Sequence, residues 1–311
     1  MPPRRVLLTL CLGDMGMIKK TAMITIAGRP NVGKSTLVNT LVGEKISIVT
    51  PKPQTTRTRI YGIVNRGETQ FVLLDTPGFH KARTRLGEYM VGVVRESVAG
   101  VDAVALLVEP VENIGTQEQM LIEQIKANGV PAVLVINKID TIKKPELLKI
   151  IALYSAAHDF AAIVPISALK GDGIGELLDE LEKFAVDGPP LFPEDMVTDQ
   201  PERQMIAEIV REKLLLCLER EVPHGTAVEV SRFSEREDGV VELDITIYCE
   251  KDSHKGIIIG KNGQMLKKIG QMAREEIEAF LGTKVFMETW VKVKDKWRDN
   301  IAMIRNFGFT E

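Results

Sequence analysis

The sequence predicts an α/β fold on a mostly parallel sheet, followed by a smaller α+β module. Three observations carry that expectation. From Ala22 onward, apolar strand-like runs alternate with amphipathic helical stretches. Runs such as AVALLV (103–108) and AVLVIN (132–137) lack polar alternation, as strands buried on both faces require. Three prolines and a glycine at 188–193 then interrupt the pattern, and the order of elements changes beyond them.

Residues 1–20 come first. Arg4 and Arg5 precede a short apolar run, Val6 to Leu12, which faintly resembles an export signal. Asp14 follows and no small-residue cleavage site appears, so the segment reads as a disordered extension or a start-site artefact. Residues 21–186 form the expected first domain. Its strands fall at 22–27, 60–66, 69–74, 103–108, 131–136 and 163–166, and its helices at 33–42, 85–99, 116–127, 145–156 and 174–185. Residues 187–199 read as a linker. Residues 200–311 form the second domain: a long helix (200–220), strands at 226–233 and 239–249, and a short turn at 256–259. A helix at 264–281, a strand at 284–293 and a last helix at 296–305 complete it.

Composition narrows the function. A chain of 311 residues suits two domains, and 44% hydrophobic with 27% charged residues excludes a disordered or polytopic membrane protein. The net charge of −3 confines any nucleic-acid site to a local patch. Cys11, Cys217 and Cys249 make neither a disulfide framework nor a CxxC pair, which favours a reducing compartment.

The strand at 22–27 runs into Gly28-Arg29-Pro30-Asn31-Val32-Gly33-Lys34-Ser35, which with Thr36 is expected to bind the nucleotide, and on into the helix of 33–42. This is GxxxxGK[ST] in the strand–loop–helix setting that the motif needs. Glycines let backbone N–H groups curl round phosphate oxygens, and the helix N-terminus adds partial positive charge. Lys34 is expected to reach the β and γ phosphates, and the Ser35 hydroxyl to hold Mg²⁺. Asp75-Thr76-Pro77-Gly78 follows the strand FVLL, placing a carboxylate for Mg²⁺ and, at Gly78, an N–H for the γ-phosphate.

Asn137-Lys138-Ile139-Asp140 ends another strand and decides the base. The Asp140 carboxylate can accept from both N1–H and the N2 amino group of guanine, a donor pair that adenine lacks, so GTP and GDP are the expected ligands. Ile166-Ser167-Ala168 fits a loop closing over the base through a backbone N–H. Between the first helix and the 60–66 strand lies Thr50-Pro51-Lys52-Pro53-Gln54-Thr55-Thr56-Arg57, suited to a loop ordered by γ-phosphate and released on hydrolysis. One threonine completes the Mg²⁺ shell, with Thr56 favoured over Thr55. Phe79 stands where some GTPases carry a water-orienting glutamine, so intrinsic turnover should be slow, on the order of 10⁻⁴ s⁻¹ or below. His80 is a further candidate for assisting it.

In the second domain Gly260-Lys261-Asn262-Gly263 follows Ile257-Ile258-Ile259 and precedes a helix. Lys255, Lys261, Lys267 and Lys268 surround it, although residues 200–311 total 18 basic against 20 acidic residues. A GxxG loop of this kind lets backbone and lysine approach the sugar–phosphate chain of a single strand, clamping about four nucleotides. Trp297 is expected to anchor the last helix rather than stack on a base.

Together GRPNVGKST (28–36), PQTTR (53–57), DTPGFHK (75–81), NKID (137–140), ISALKG (166–171), FPEDMVTD (192–199) and IIIGKNGQMLKKIG (257–270) closely resemble bacterial Era GTPases, over about residues 22–311. The resemblance implies a Ras-like P-loop GTPase domain followed by a type II KH domain. It implies binding to the 3′ end of 16S ribosomal RNA and to the 30S subunit during its assembly. It also implies a cytoplasmic protein with some peripheral association with the inner face of the cell membrane. In related GTPases an asparagine at the position of Asn31 coordinates K⁺ in place of an arginine finger. A monomer is the default expectation. A tRNA-modification GTPase and a membrane adaptor are the alternative classes; the first usually carries a cofactor-binding partner domain, and the second would place the lysine face on lipid.

Overall fold

The computed structural model describes residues 17–78 and 84–309. Phe79, His80 and residues 1–16, with the expectations attached to them, lie outside the described residues. The chain opens with Lys20–Ala27 (β1) and Lys34–Val42 (α1), then Ile60–Arg66 (β2) and Thr69–Asp75 (β3). Arg85–Ser97 (α2), Ala103–Val108 (β4), Thr116–Asn128 (α3) and Ala132–Ile136 (β5) follow. Lys144–Ala157 (α4), Ala162–Pro165 (β6), Ile174–Glu182 (α5) and Val186–Asp187 (β7) finish the first sheet system. Its order is β2-β3-β1-β4-β5-β6, parallel except where β2 meets β3, with β7 antiparallel on β1.

Burial explains the unbroken apolar runs. Every residue of β4 and β5 is buried, because α1 and α5 cover one face of the sheet while α2, α3 and α4 cover the other. The carboxyl ends of β1, β3, β4, β5 and β6 therefore emerge along one edge, where an open parallel sheet gathers its ligand-binding loops. Ile18 is buried and Lys20 already pairs with Thr69, so β1 starts two residues before the expected 22.

The second system contains Glu202–Cys217 (α6), Ala227–Glu235 (β8), Val241–Cys249 (β9), Asp252–Ile259 (α7), Gln264–Leu281 (α8), Val285–Val293 (β10) and Ile301–Asn306 (α9). Its sheet runs β10-β9-β8, with β9 parallel to β10 and antiparallel to β8, and its core packs α6, α7 and α8 on one face. The expected turn at 256–259 is the last part of a helix that begins at Asp252. His254 and Ile258, four residues apart, bury one helical face, and Gly260 at φ 72° ends it. The long helix stops at Cys217 because Leu218 turns to extended backbone. The last helix is divided: Lys296 at φ 48° redirects the chain, and α9 starts only after Asn300 caps it by accepting from the Met303 N–H.

The proline-rich segment is strapped onto the β2 edge. Ile63 N–H donates to Val197 O, Tyr61 N–H to Asp199 Oδ1, and Asn65 Nδ2 to Glu194 O. These bonds satisfy edge groups that would otherwise remain open to another strand.

The 45–57 loop is held mainly by the second system. Lys45 pairs with Glu212 and Glu276, the Val49 N–H donates to Glu212 Oε1 at 2.9 Å, and Lys52 Nζ donates to Leu218 O. The buried Arg57 guanidinium donates to Thr226 O at 2.7 Å and His224 O at 2.9 Å, and its Cζ lies 5.8 Å from the Trp297 ring centroid. Buried Arg211 of α6 donates to Thr55 O while pairing with Glu208. Nearby, Leu86 and Met90 of α2 pack with Ala227, Trp297, Ile304 and Phe309. Trp297 is fully buried with its Nε1 donating to Gly225 O at 2.9 Å, so it is an anchor.

His224 in this joint has its pKa lowered, first by burial and then by Arg57, Lys52, Arg298 and Arg211. With the folded value below about 6.5, the unfolded chain takes up the proton first on acidification. The stability contributed is full above about pH 6.5 and is lost as pH falls through the lower, folded value. Between about pH 7.5 and about pH 5.5 the urea midpoint should therefore drop less in His224→Gln than in the wild type. Equal drops would show that His224 does not contribute.

Candidate functional site

The loop after β1 enters α1 through Gly33 at φ 102°, where an added Cβ would sit 2.3 Å from Asn137 Nδ2. Glycine is needed for both the left-handed backbone and the close approach of the 137–140 loop. Lys34 arches back over the loop, its Nζ donating to Gly28 O at 3.1 Å and Arg29 O at 3.0 Å. Burial lowers this ammonium to about 8, against the pull of Asp75.

Ser35 Oγ lies 2.9 Å from Thr56 Oγ1, whereas Thr55 Oγ1 is engaged by Thr50 Oγ1 and Lys52 O, each at 2.7 Å. Beside them Asp75 is completely buried, and neither of its carboxylate oxygens has a hydrogen-bond partner among the described residues. Burial pushes its pKa up, opposed by the nearby Ser35 hydroxyl and Lys34 ammonium. Two hydroxyls next to an unsatisfied buried carboxylate are an oxygen donor set that fits a hard divalent cation. Thr76 Oγ1 donates to Ile26 O, fixing the start of the 75–78 turn against β1. At its end Gly78 approaches Pro30 so closely that a Cβ would lie 2.7 Å from the Pro30 nitrogen.

The base-side loops interlock. Asn137 Nδ2 donates to Val32 O at 2.8 Å, and its Oδ1 accepts from the Ala168 N–H at 2.9 Å, so one amide ties three loops together. Lys138, at φ 63°, donates through Nζ to Asn31 O at 2.7 Å. The Asp140 carboxylate accepts from Ser167 Oγ at 2.8 Å, which is the main reason its pKa is lowered; Lys170 stands 3.8 Å away. An ionised acceptor with restricted orientation is the group needed to read a pair of ring donors. Asn31 Nδ2 reaches Pro51 O at 2.8 Å, linking this region to the 50–57 loop.

A cavity of about 420 Å³ opens among these groups, lined by Pro30, Lys34, Thr36, Pro51, Thr56 and Lys138. Another, of about 400 Å³, lies between β2, α2 and the 199–201 strap and contains none of the predicted nucleotide- or RNA-binding residues.

On the second system α7, the GxxG loop and α8 form a helix–turn–helix. Gly260 is held at φ 72°, and a Cβ there would meet Met265 Cβ at 2.6 Å. Lys261, Lys267 and Lys268 are exposed and Lys255 is half-buried; none has an ion-pair partner among the described residues. Asn262, at φ 51°, carries the turn to Gly263. The structure thus brings the two predicted sets of residues to separate places, while the 45–57 loop joins them. Sequence reasoning missed Arg57, Arg211 and Glu212 as connectors and Glu109 beside the base loop. A buried charge whose partner is a distant backbone carbonyl leaves no local spacing to read.

Residues 23–138 match the family model described as 50S ribosome-binding GTPase, and residues 221–298 match that for a KH domain. GTPase Era of Ruminiclostridium cellulolyticum is 53% identical over 94% of this chain and 98% of its own length. GTPase Era of Alkaliphilus metalliredigens is 48% identical, covering 94% of this chain and all of its own. A crystal structure of an Aquifex aeolicus Era variant bound to GDP and AlF4⁻ superposes with a TM-score of 0.90 at 39% identity, covering 94% and 100% of the two chains. A crystal structure of Era with MgGDPNP and nucleotides 1506–1542 of 16S ribosomal RNA gives 0.89 at 38% identity, with the same coverage.

Proposed function

The chain belongs to the Era family of GTPases, and from that premise we propose that it is a slow GTP-driven switch on small-subunit ribosomal RNA. It binds the single-stranded 3′ end of 16S rRNA and acts in assembly of the 30S subunit, as a cytoplasmic monomer with peripheral contact at the inner membrane face. The relative with MgGDPNP and 16S nucleotides bound supports the RNA assignment. The observation that carries the switch is the placement of Thr56. Its neighbours on both sides, Thr55 and Arg57, are held by groups of the KH side.

In this reading, backbone N–H groups of residues 28–36 cradle the phosphates and Lys34 exchanges its loop carbonyls for β and γ oxygens. Ser35, Thr56 and Asp75 hold Mg²⁺, which when bound neutralises charge on the β and γ oxygens. The Gly78 N–H meets the γ-phosphate, with Thr76 and Pro77 shaping its turn. Asp140 accepts from guanine, while Asn137, Lys138, Ser167 and Ala168 shape the base pocket. Asn31 is the residue that would hold K⁺, which when bound would supply positive charge in place of an arginine finger. No glutamine follows Gly78, so hydrolysis is slow and the GTP state persists until a partner ends it.

Lys255, Lys261, Lys267 and Lys268 take the RNA phosphates as residues 260–263 approach the strand. Sequencing RNA crosslinked to the GTP-bound chain in cells tests this. Reads should concentrate at the 16S 3′ end, and Lys261→Ala with Lys267→Ala should remove most of them. Reads dominated by tRNA would contradict the proposal, as would crosslinks unchanged in the variant while liposome binding is lost.

A further inference from the structure

Glu109 follows β4 directly and enters the nucleotide region from a strand that contributes no motif residue. One of its oxygens, Oε2, accepts from Arg29 Nη2 at 2.5 Å. The other, Oε1, pairs with Lys138 Nζ, which also donates to Asn31 O. One carboxylate therefore clamps the phosphate loop and the base-recognition loop to each other. Behind it, Arg29 Nε lies 3.0 Å from Oε1 of Glu118, a buried acid of α3; the Nε–H is not aimed at that oxygen, so this is an ion pair rather than a hydrogen bond. The result is an alternating chain, Glu118–Arg29–Glu109–Lys138, running from α3 to the base loop.

Lys138 needs such support. A lysine ammonium is a point charge on a flexible stem, and its backbone here is already in the left-handed region. We propose that Glu109 is a positioning residue for guanine-nucleotide binding: its bidentate clamp on Arg29 and Lys138 holds the phosphate loop and base loop at the spacing one nucleotide spans. This rests on the guanine reading of the site. It extends that reading by assigning nucleotide retention to a side chain outside the four motifs. Glu109 acts through Lys138, not on the nucleotide.

The test is release of mant-GDP from the full chain, after establishing that the wild type retains mant-GDP and not mant-ADP. Equal retention of both would defeat the guanine reading itself, before any variant is measured. Given that preference, Glu109→Gln should release mant-GDP about tenfold faster, as loss of charge-assisted bonds predicts. Its hydrolysis should show the change mainly in KM rather than kcat. Glu109→Asp, which keeps the charge but shortens the reach, should fall between. In a Lys138→Met background, Glu109→Gln should change release by less than about twofold, because the two residues act as one unit. Unchanged release in Glu109→Gln, or an effect as large with Met at 138 as with Lys, would overturn the proposal and leave Glu109 as a brace for α3.

Discussion

Asp140→Asn is expected to lower GTP affinity by about 10³- to 10⁴-fold and to let xanthosine triphosphate bind in its place. Guanine offers two donors on one edge, and a carboxylate supplies two acceptors. Asparagine would turn an N–H toward one of those donors. Xanthine, with a carbonyl where guanine has its amino group, restores the match. Because Ser167 Oγ donates to one Asp140 oxygen, the carboxylate is already oriented, and the change removes recognition rather than order. Titration calorimetry with both triphosphates reads the result. GTP affinity unaltered in the variant would remove the base assignment.

Arg57→Ala should abolish most of the dependence of RNA affinity on nucleotide state. Any shift of Thr56 on binding Mg²⁺ and nucleotide would pull on two flanking residues, Thr55 and Arg57, that are fastened across the joint. Arg57 makes charge-assisted bonds to two carbonyls, each worth about 1.5–3 kcal/mol, so the loop cannot shift without altering that grip. Losing Arg57 leaves Arg211 on Thr55 O and Glu212 on the Val49 N–H, so the halves stay associated. Coupling between sites in proteins commonly spans about 5- to 150-fold. In Arg57→Ala the ratio of RNA affinities in the GTP-analogue and GDP states should approach one, within about twofold. A ratio as large as that of the wild type would show that the signal bypasses Arg57.

The motifs of the candidate nucleotide site are legible because the residues of each lie close in sequence. Gly28 to Ser35, Asp75 to Gly78 and Asn137 to Asp140 each end a strand, and strand ends are visible as apolar runs stopping at polar residues. Thr56, favoured over Thr55 for Mg²⁺, lies 2.9 Å from Ser35 Oγ, while Thr55 is engaged by Thr50 and Lys52. The joint was hidden for the opposite reason. Arg57 and Arg211 resemble surface residues in sequence, yet both are buried because backbone carbonyls far along the chain accept from them. The expected turn at 256–259 is instead the end of a helix, because packing of His254 and Ile258 overrides the weak disfavour of β-branched residues for helix. The prolines at 189–193 broke the pattern as expected, but nothing in them revealed that the segment would cover the β2 edge.

The relay from phosphate to RNA is tested most directly by fluorescence anisotropy of a labelled single-stranded oligonucleotide carrying the 16S 3′-terminal sequence. Titrations of the full chain saturated with GDP and with a non-hydrolysable GTP analogue, at one fixed salt concentration, give two dissociation constants. The account predicts binding about tenfold or more tighter in the analogue state. Indistinguishable constants would contradict it.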